Sequence, residues 1–280
     1  MKGAQAVPAL HTDYAKPGDP RPTIAYLAPH IDDAVGQALW SGVVDAAAEL
    51  GVNLISYVGE ALQPPAVLIP PANIVYDLVD MGAIDGVISW ASSLCGSLDR
   101  DQAVAFHRRF HPLPVVSITL PMSGIPSVSI DSYQGMRDLI AHLVEVHGHR
   151  RLAFVRGPEG HYHAQERYRA YANTLEEYGI RFDLDLVTNP AEFGLAAGAE
   201  AVRLLLDERA FRLPRDLDAI VSVSDLPAVG ALTELQSRGI KVPDLVALVG
   251  FNDVPESRFV TPPLTSVTVS YTHLTLPTNR

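Results

Sequence analysis

Few residues in this 280-residue chain are spaced for chemistry on a bound molecule. The clearest group follows two apolar runs: Ser224 and Asp225 come after AIVSV, and Asn252 and Asp253 come after LVALVGF. A hydroxyl, an amide and two carboxylates so placed can hold a small polar ligand by hydrogen bonds. Nothing there pairs an acid with a base, or a nucleophile with an activator. Trp90 ends a third apolar run, GVISW, where its ring serves either as a stacking platform or as plain core. His161 and His163 form a His-x-His pair in GPEGHYHAQERYR, a weak basis for a metal site and one that solvated loop histidines also explain. The single cysteine, Cys95, excludes an internal disulfide and a thiolate zinc cage, and reads as a small buried residue. G-x-S-x-G, G-x-x-x-x-G-K-[ST] and H-E-x-x-H are absent, as is G-x-G-x-x-G after the first strand. The expectation is a binding protein, not an enzyme, with no cofactor and no metal.

The elements that must position these groups alternate along the chain. TIAYLA (23–28) reads as a strand, and PHIDD leads from it into a helix over 34–50 whose apolar stripe is Leu39, Val43, Ala47 and Leu50, closed by Gly51. NLISYV is a second strand, the Pro-rich ALQPPAVLIPPAN a loop, and 74–81 a helix. GVISW (86–90), a helix over 99–110 and PVVSI (114–118) complete a first lobe. SVSID then starts a second lobe, with helices over 133–146, 164–178 and 194–206, strands at RLAFV and DLVT, and the strand, helix and strand of 219–253. Continuous apolar runs rich in β-branched residues are the mark of strands buried on both faces of a parallel sheet. In such sheets ligands bind outside the carboxyl ends of strands, so Ser224, Asp225, Asn252 and Asp253 should share a cleft.

Composition narrows the class further. A hydrophobic content of 48% allows substantial cores, and no apolar run approaches the ~20 residues a membrane-spanning helix needs. The opening MKGAQAVPALHTDYAKPGDPRP lacks a signal peptide's apolar centre, so a cytoplasmic location with no membrane partner is expected. A formal charge of -11 disfavours nucleic-acid binding by this chain alone, because phosphate contacts need clustered Lys and Arg.

Four segments, IAYLAPHIDDAVGQALWSGVVDAAAELGV, FVRGPEGHYHAQERYRAY, the 219–253 stretch and RFVTPPLTSV, occur in the order found in the sensor domain of the LacI/GalR repressors, which this chain resembles from Thr23 to Val269. The resemblance implies a periplasmic-binding-protein type I fold: two Rossmann-like α/β lobes with parallel sheets, joined by multiple crossovers and closing on a ligand by hinge motion. It divides the chain into a tail (1–22), a first lobe (23–124, with 264–269 returning to it) and a second lobe (125–263). It also implies ligand contacts from His30, Asp32 and Asp33 in the loop after the first strand, although Asp33 equally suits a helix N-cap. His161 and His163 fall at contact positions, Arg167 where the family grips a hydroxyl or carboxylate, and Phe193 where it stacks an aromatic ring. Asn252 stands where the family commonly has a carboxylate, which puts a simple pyranoside in doubt and keeps nucleosides in view. Arg167 and Asn252 should then face each other across ligand-sized space near Ser224.

Two departures accompany the resemblance. Residues 1–22 are too few for the helix-turn-helix that precedes the sensor in these repressors, so DNA would be reached only through a module missing from this chain. Residues 270–280, SYTHLTLPTNR, resemble a translated sequencing adapter and are read as non-native, in place of the helix and strand that would finish the first lobe. The expected function is a homodimeric sensor of a small polar ligand (a sugar, nucleoside or similar), serving a transcriptional regulator or a signalling protein. The alternative is a periplasmic-type solute-binding protein for sugar or nucleoside transport.

Overall fold

The computed structural model describes residues 21–63 and 71–269. The first lobe holds β1 (Thr23–Ala28), α1 (Ala34–Leu50), β2 (Asn53–Val58), β3 (Gly86–Trp90), α2 (Ala91–Leu94), α3 (Arg100–Arg108), β4 (Val115–Ile118) and β5 (Ser127–Val128). Its five strands run parallel in the order β2-β1-β3-β4-β5. The second lobe holds α4 (Ser132–Glu145), β6 (Leu152–Val155), α5 (Tyr162–Glu177), α6 (Leu195–Arg203), β7 (Ala219–Ser222), α7 (Asp225–Ser237), β8 (Ala247–Asn252), α8 (Pro255–Phe259) and β9 (Thr265–Thr268). Here four parallel strands follow the order β6-β7-β8-β9.

Alternation along each strand feeds two cores per sheet. In β1, Ala25 and Leu27 face a core shared with Tyr76, Ala103 and Phe110, while Tyr26 and Ala28 face Leu39 of α1. In the second lobe, Leu152 and Phe154 face α4 and α5, whereas Ala153 and Val155 face α6 and α7. Helices α6 and α7 are drawn together by glycine: a β-carbon on Gly198 would lie 1.7 Å from the Pro227 carbonyl oxygen, and one on Gly230 1.9 Å from that of Leu195.

Two boundaries differ from the sequence-based division. β5 pairs with β4 and so closes the first sheet rather than starting the second lobe, while β9 pairs with β8 in the second sheet instead of returning to the first. An apolar strand pattern states that both faces are buried, but not which sheet edge accepts the strand. The described residues contain one crossing between the lobes, at 129–131. Local differences are smaller. Pro71–Leu78 forms 3₁₀ turns where a helix over 74–81 was expected, and Leu184–Leu186 is a 3₁₀ turn with a lone Phe154–Val187 bridge where DLVT reads as a strand. After α6 the backbone widens into a π-turn over Leu204–Glu208. Residues 1–20 of the tail and the adapter-like 270–280 lie outside the described residues.

One buried titratable group gives the fold a pH dependence. His107 of α3 is 1% exposed, with Nδ1 2.7 Å from the Ala103 carbonyl oxygen and Nε2 2.9 Å from Ser89 Oγ. A carbonyl only accepts, so Nδ1 carries the proton and Nε2 accepts from Ser89. Burial lowers the pKa, since a charged imidazole there would lose its hydration. An unfolded histidine titrates near pH ~6.5, so below that the unfolded chain binds a proton that the folded chain refuses, and stability present above that pH is lost as pH falls. Urea unfolding midpoints should therefore decline from about pH 7 to about pH 5, with a shallower decline in His107→Gln. Equal slopes in the two proteins would mean that His107 titrates normally when folded.

Candidate ligand-binding cleft

A cavity of about 1000 Å³ lies between the lobes, at the carboxyl ends of both sheets. Residues His30, Asp32, Asp33, Trp90, His161, His163, Arg167, Phe193, Ser224, Asp225 and Asn252 all line it. The common cause is topological: all but Phe193, which lies in the loop before α6, sit at or just beyond the carboxyl end of a strand or in the first turns of the helix that follows.

The first lobe supplies an aromatic and acidic wall. Asp33 caps α1, its Oδ1 accepting from the Gly36 amide at 2.6 Å, and its other oxygen lies 3.5 Å from His30 Nδ1. Its capping role is thus realised while it still borders the cavity. The His30 ring meets Trp90 edge to face at 4.9 Å, and Trp90 is 4% exposed, so this indole is both core and cavity wall. Sequence reasoning passed over Ser92 and Thr119, which line the same wall and share a hydrogen bond of 2.5 Å. The carboxyl-end rule could have found them, because they follow β3 and β4 directly. Thr119 also has a φ of +67°, a conformation that costs a β-branched residue on the order of 1–3 kcal/mol. Its amide, bonded to the Val128 carbonyl, and its hydroxyl, bonded to the Ile118 carbonyl, hold it there.

The second lobe supplies the charged floor. Arg167, in α5, is 4% exposed; Nε donates to Ser132 Oγ at 3.3 Å, Nη1 to the Val223 carbonyl at 2.8 Å and Nη2 to Asn252 Oδ1 at 3.1 Å. Its guanidinium lies over the Phe251 ring at 3.7 Å. Arg167 and Asn252 therefore touch, and the expectation of ligand-sized space between them is corrected. Both stand on the same lobe, at the adjoining ends of α5 and β8, so the space for a ligand lies between lobes instead. Asn252 and Asp253 have φ of +105° and +55°, conformations that Asn and Asp tolerate better than most residues.

Asp225 borders the cavity but is wholly buried and committed to the scaffold. Its carboxylate accepts from the Val254 amide at 2.9 Å and from Ser266 Oγ at 2.6 Å, tying the β8–α8 loop to β9. Burial raises its pKa, and those same hydrogen bonds oppose the shift. Asp253, which the carboxyl-end rule also put in the cleft, binds Arg258 and Thr268 instead and does not line the cavity. Ser224 occupies the N-cap position of α7 without capping through its side chain, which leaves its hydroxyl on the cavity wall.

His161, Phe193 and His163 complete the lining. His161 caps α5 and meets Phe193 edge to face at 4.9 Å, and Phe193 in turn rests on Gly157, where a β-carbon would come within 2.9 Å of its ring. Desolvation in the cleft, helped by the neighbouring Arg167 charge, brings the His161 pKa down to about 3. The same two causes, in that order, hold His163 well below its ordinary value. Both imidazoles are neutral at neutral pH, and their ring centroids are 6.1 Å apart. Among the described residues, no group of three or more His, Cys, Asp or Glu side chains is placed to hold a metal ion. Glu192, beside Phe193, is a further lining residue without a sequence signal.

The arrangement can clasp a small polar molecule between an aromatic and acidic wall and an arginine floor. Comparison with known proteins bears on that reading. A family described as "Periplasmic binding protein-like domain" matches residues 140–275. The HTH-type transcriptional repressor CytR of Escherichia coli K12 is 31% identical over 192 residues, 68% of this chain and 53% of CytR, so the chain spans about half the length of that relative. Among solved structures, a cellobiose complex of the transcriptional regulator CelR superposes with a TM-score of 0.71 at 28% identity, covering 90% of this chain and 74% of that one. A LacI family transcriptional regulator from Mycobacterium smegmatis superposes with a TM-score of 0.74 at 30% identity, over 89% of this chain and 85% of that one. A match so nearly complete in both directions, on two parallel-sheet lobes with a cleft between them, shows that this chain belongs to the LacI family.

Proposed function

We propose that this chain is the ligand-sensing part of a transcriptional regulator, and that a small neutral or anionic polar molecule, a sugar or nucleoside, binds between its lobes. The observation that carries this reading is the cavity itself. At about 1000 Å³ it stands at the upper end of the size range of small-molecule sites, and both lobes line it, so a ligand there touches His30 and Trp90 on one side and Arg167 and Phe193 on the other. A ligand favours the closed arrangement only if its contacts with both lobes exist together there. The regulatory reading is preferred to solute transport because the relatives named above are transcriptional regulators. On the same ground the site is read as one that binds without catalysing. No helix among the described residues is long and apolar enough to cross a membrane. DNA would be contacted through a separate helix-turn-helix module, and the setting would be the cytoplasm.

A second copy of this chain is the proposed protein partner. Ile74, Leu78 and Met81 on the first lobe and Phe259 on the second are large apolar residues left at least half exposed, Phe259 at 85%. A dimer that used a patch on each lobe would convert lobe closure into a change of dimer geometry. A thermal-shift screen of nucleosides, mono- and disaccharides and their phosphates, followed by small-angle scattering, tests the reading. The expected result is one chemical class that raises the melting temperature and compacts a dimeric particle. Stabilisation without compaction would make the domain a passive binder.

A further inference from the structure

Ser132 was not singled out by the sequence and does not line the cavity, yet it touches two residues that do. It is the first residue of α4, directly after the 129–131 crossing, and is 2% exposed. Its Oγ lies 3.3 Å from Arg167 Nε and 3.0 Å from His163 Nδ1. The proton count at this junction has one satisfied solution. Arg167 Nε–H can only donate, so Oγ accepts there and retains a single hydrogen of its own. Directed at His163 Nδ1, that hydrogen is used; if Nδ1 were itself protonated, the hydroxyl hydrogen would be left without an acceptor among its contacts. Buried hydroxyl and ring nitrogens are normally paired, which favours the first arrangement.

We propose that Ser132 is a positioning residue of the cleft: its hydroxyl fixes His163 as the Nε2–H tautomer and locks the Nε edge of Arg167. His163 is 3% exposed, and its Nε2 is buried without a hydrogen bond of ordinary geometry. The Thr119 carbonyl of the first lobe lies near enough to favour a protonated ring nitrogen. His163 therefore presents a donor, never an acceptor, towards the first lobe. Whatever settles against it on closure, the Thr119 carbonyl or an oxygen of a bound molecule, must accept.

The proposal builds on the ligand-sensing reading for its purpose, but its test needs no ligand. Side-chain ¹⁵N spectra of the ligand-free chain should show His163 with Nε2 protonated and Nδ1 bare, and an Arg167 Nε–H protected from exchange with water. Ser132→Ala should give a mixture of tautomers and speed Arg167 Nε–H exchange by at least about tenfold, consistent with the loss of one hydrogen bond to a charged group. Ser132→Thr, which keeps the hydroxyl, should restore both signals. A wild-type His163 protonated at Nδ1, or spectra unchanged in Ser132→Ala, would overturn the assignment. If Ser132→Ala does not fold, the wild-type tautomer and the Ser132→Thr spectrum still decide it. Cleft residues held by Ser132 with no ligand found in the screen would refute the sensing reading alone.

Discussion

Arg167→Ala should weaken binding of any nucleoside or sugar that stabilises the chain by about 1.5–3 kcal/mol, roughly 10- to 150-fold in Kd, the range for a hydrogen bond to a charged group. The same substitution should also lower stability. The guanidinium donates to the Val223 carbonyl, Ser132 and Asn252 and covers the Phe251 ring, so truncation leaves buried acceptors unmet at about 1–3 kcal/mol for a buried polar group. In a domain of this size each kcal/mol moves the melting temperature by about 2–4 °C. Calorimetry and thermal melts separate the two effects. Arg167→Lys should keep the charge but lose the forked geometry, recovering stability more than affinity. If Arg167→Ala binds as tightly as wild type while melting lower, the arginine is scaffold and the ligand site lies elsewhere in the cleft.

Gly160→Ala should oppose closure of the lobes while sparing the fold of each. Gly160 lies in the loop between β6 and α5, and a β-carbon there would stand 2.3 Å from the Gly96 carbonyl oxygen of the first lobe. The obstructing atom is backbone, so a rotamer change cannot relieve it, and overpacking of this kind costs about 1–3 kcal/mol. Separating the lobes relieves the contact, so the cost falls on the closed arrangement alone. Apparent affinity should drop roughly 5- to 150-fold by that shift, with unfolding of the ligand-free chain nearly unchanged. Small-angle scattering should show a larger radius of gyration at saturating ligand than wild type gives. Wild-type affinity and compactness in Gly160→Ala would mean that the approach of Gly96 to Gly160 does not limit closure. Gly198→Ala is a useful contrast, since the obstructing carbonyl of Pro227 belongs to the same lobe and no hinge motion can relieve it.

Sequence patterning by itself determined which segments are strands and helices wherever the apolar period was continuous. β1, α1, β2 and β3 begin and end at the residues the pattern indicated, because buried parallel strands are uninterrupted apolar runs and α1 carries its own stop at Gly51. The carboxyl-end rule likewise reached Ser224, Asp225 and Asn252 without coordinates. Tertiary structure decided what those residues do. Asp225 and Asp253 are both carboxylates just past a strand, yet one ties the β8–α8 loop to β9 and the other pairs with Arg258, because loop amides, hydroxyls and guanidinium groups that local sequence cannot place arrive there first. The sheets chosen by β5 and β9 were equally hidden, since edge pairing depends on which strand already has a free side. So was Ser132, whose role arises from two side chains 31 and 35 residues away that meet only when α4 packs on α5.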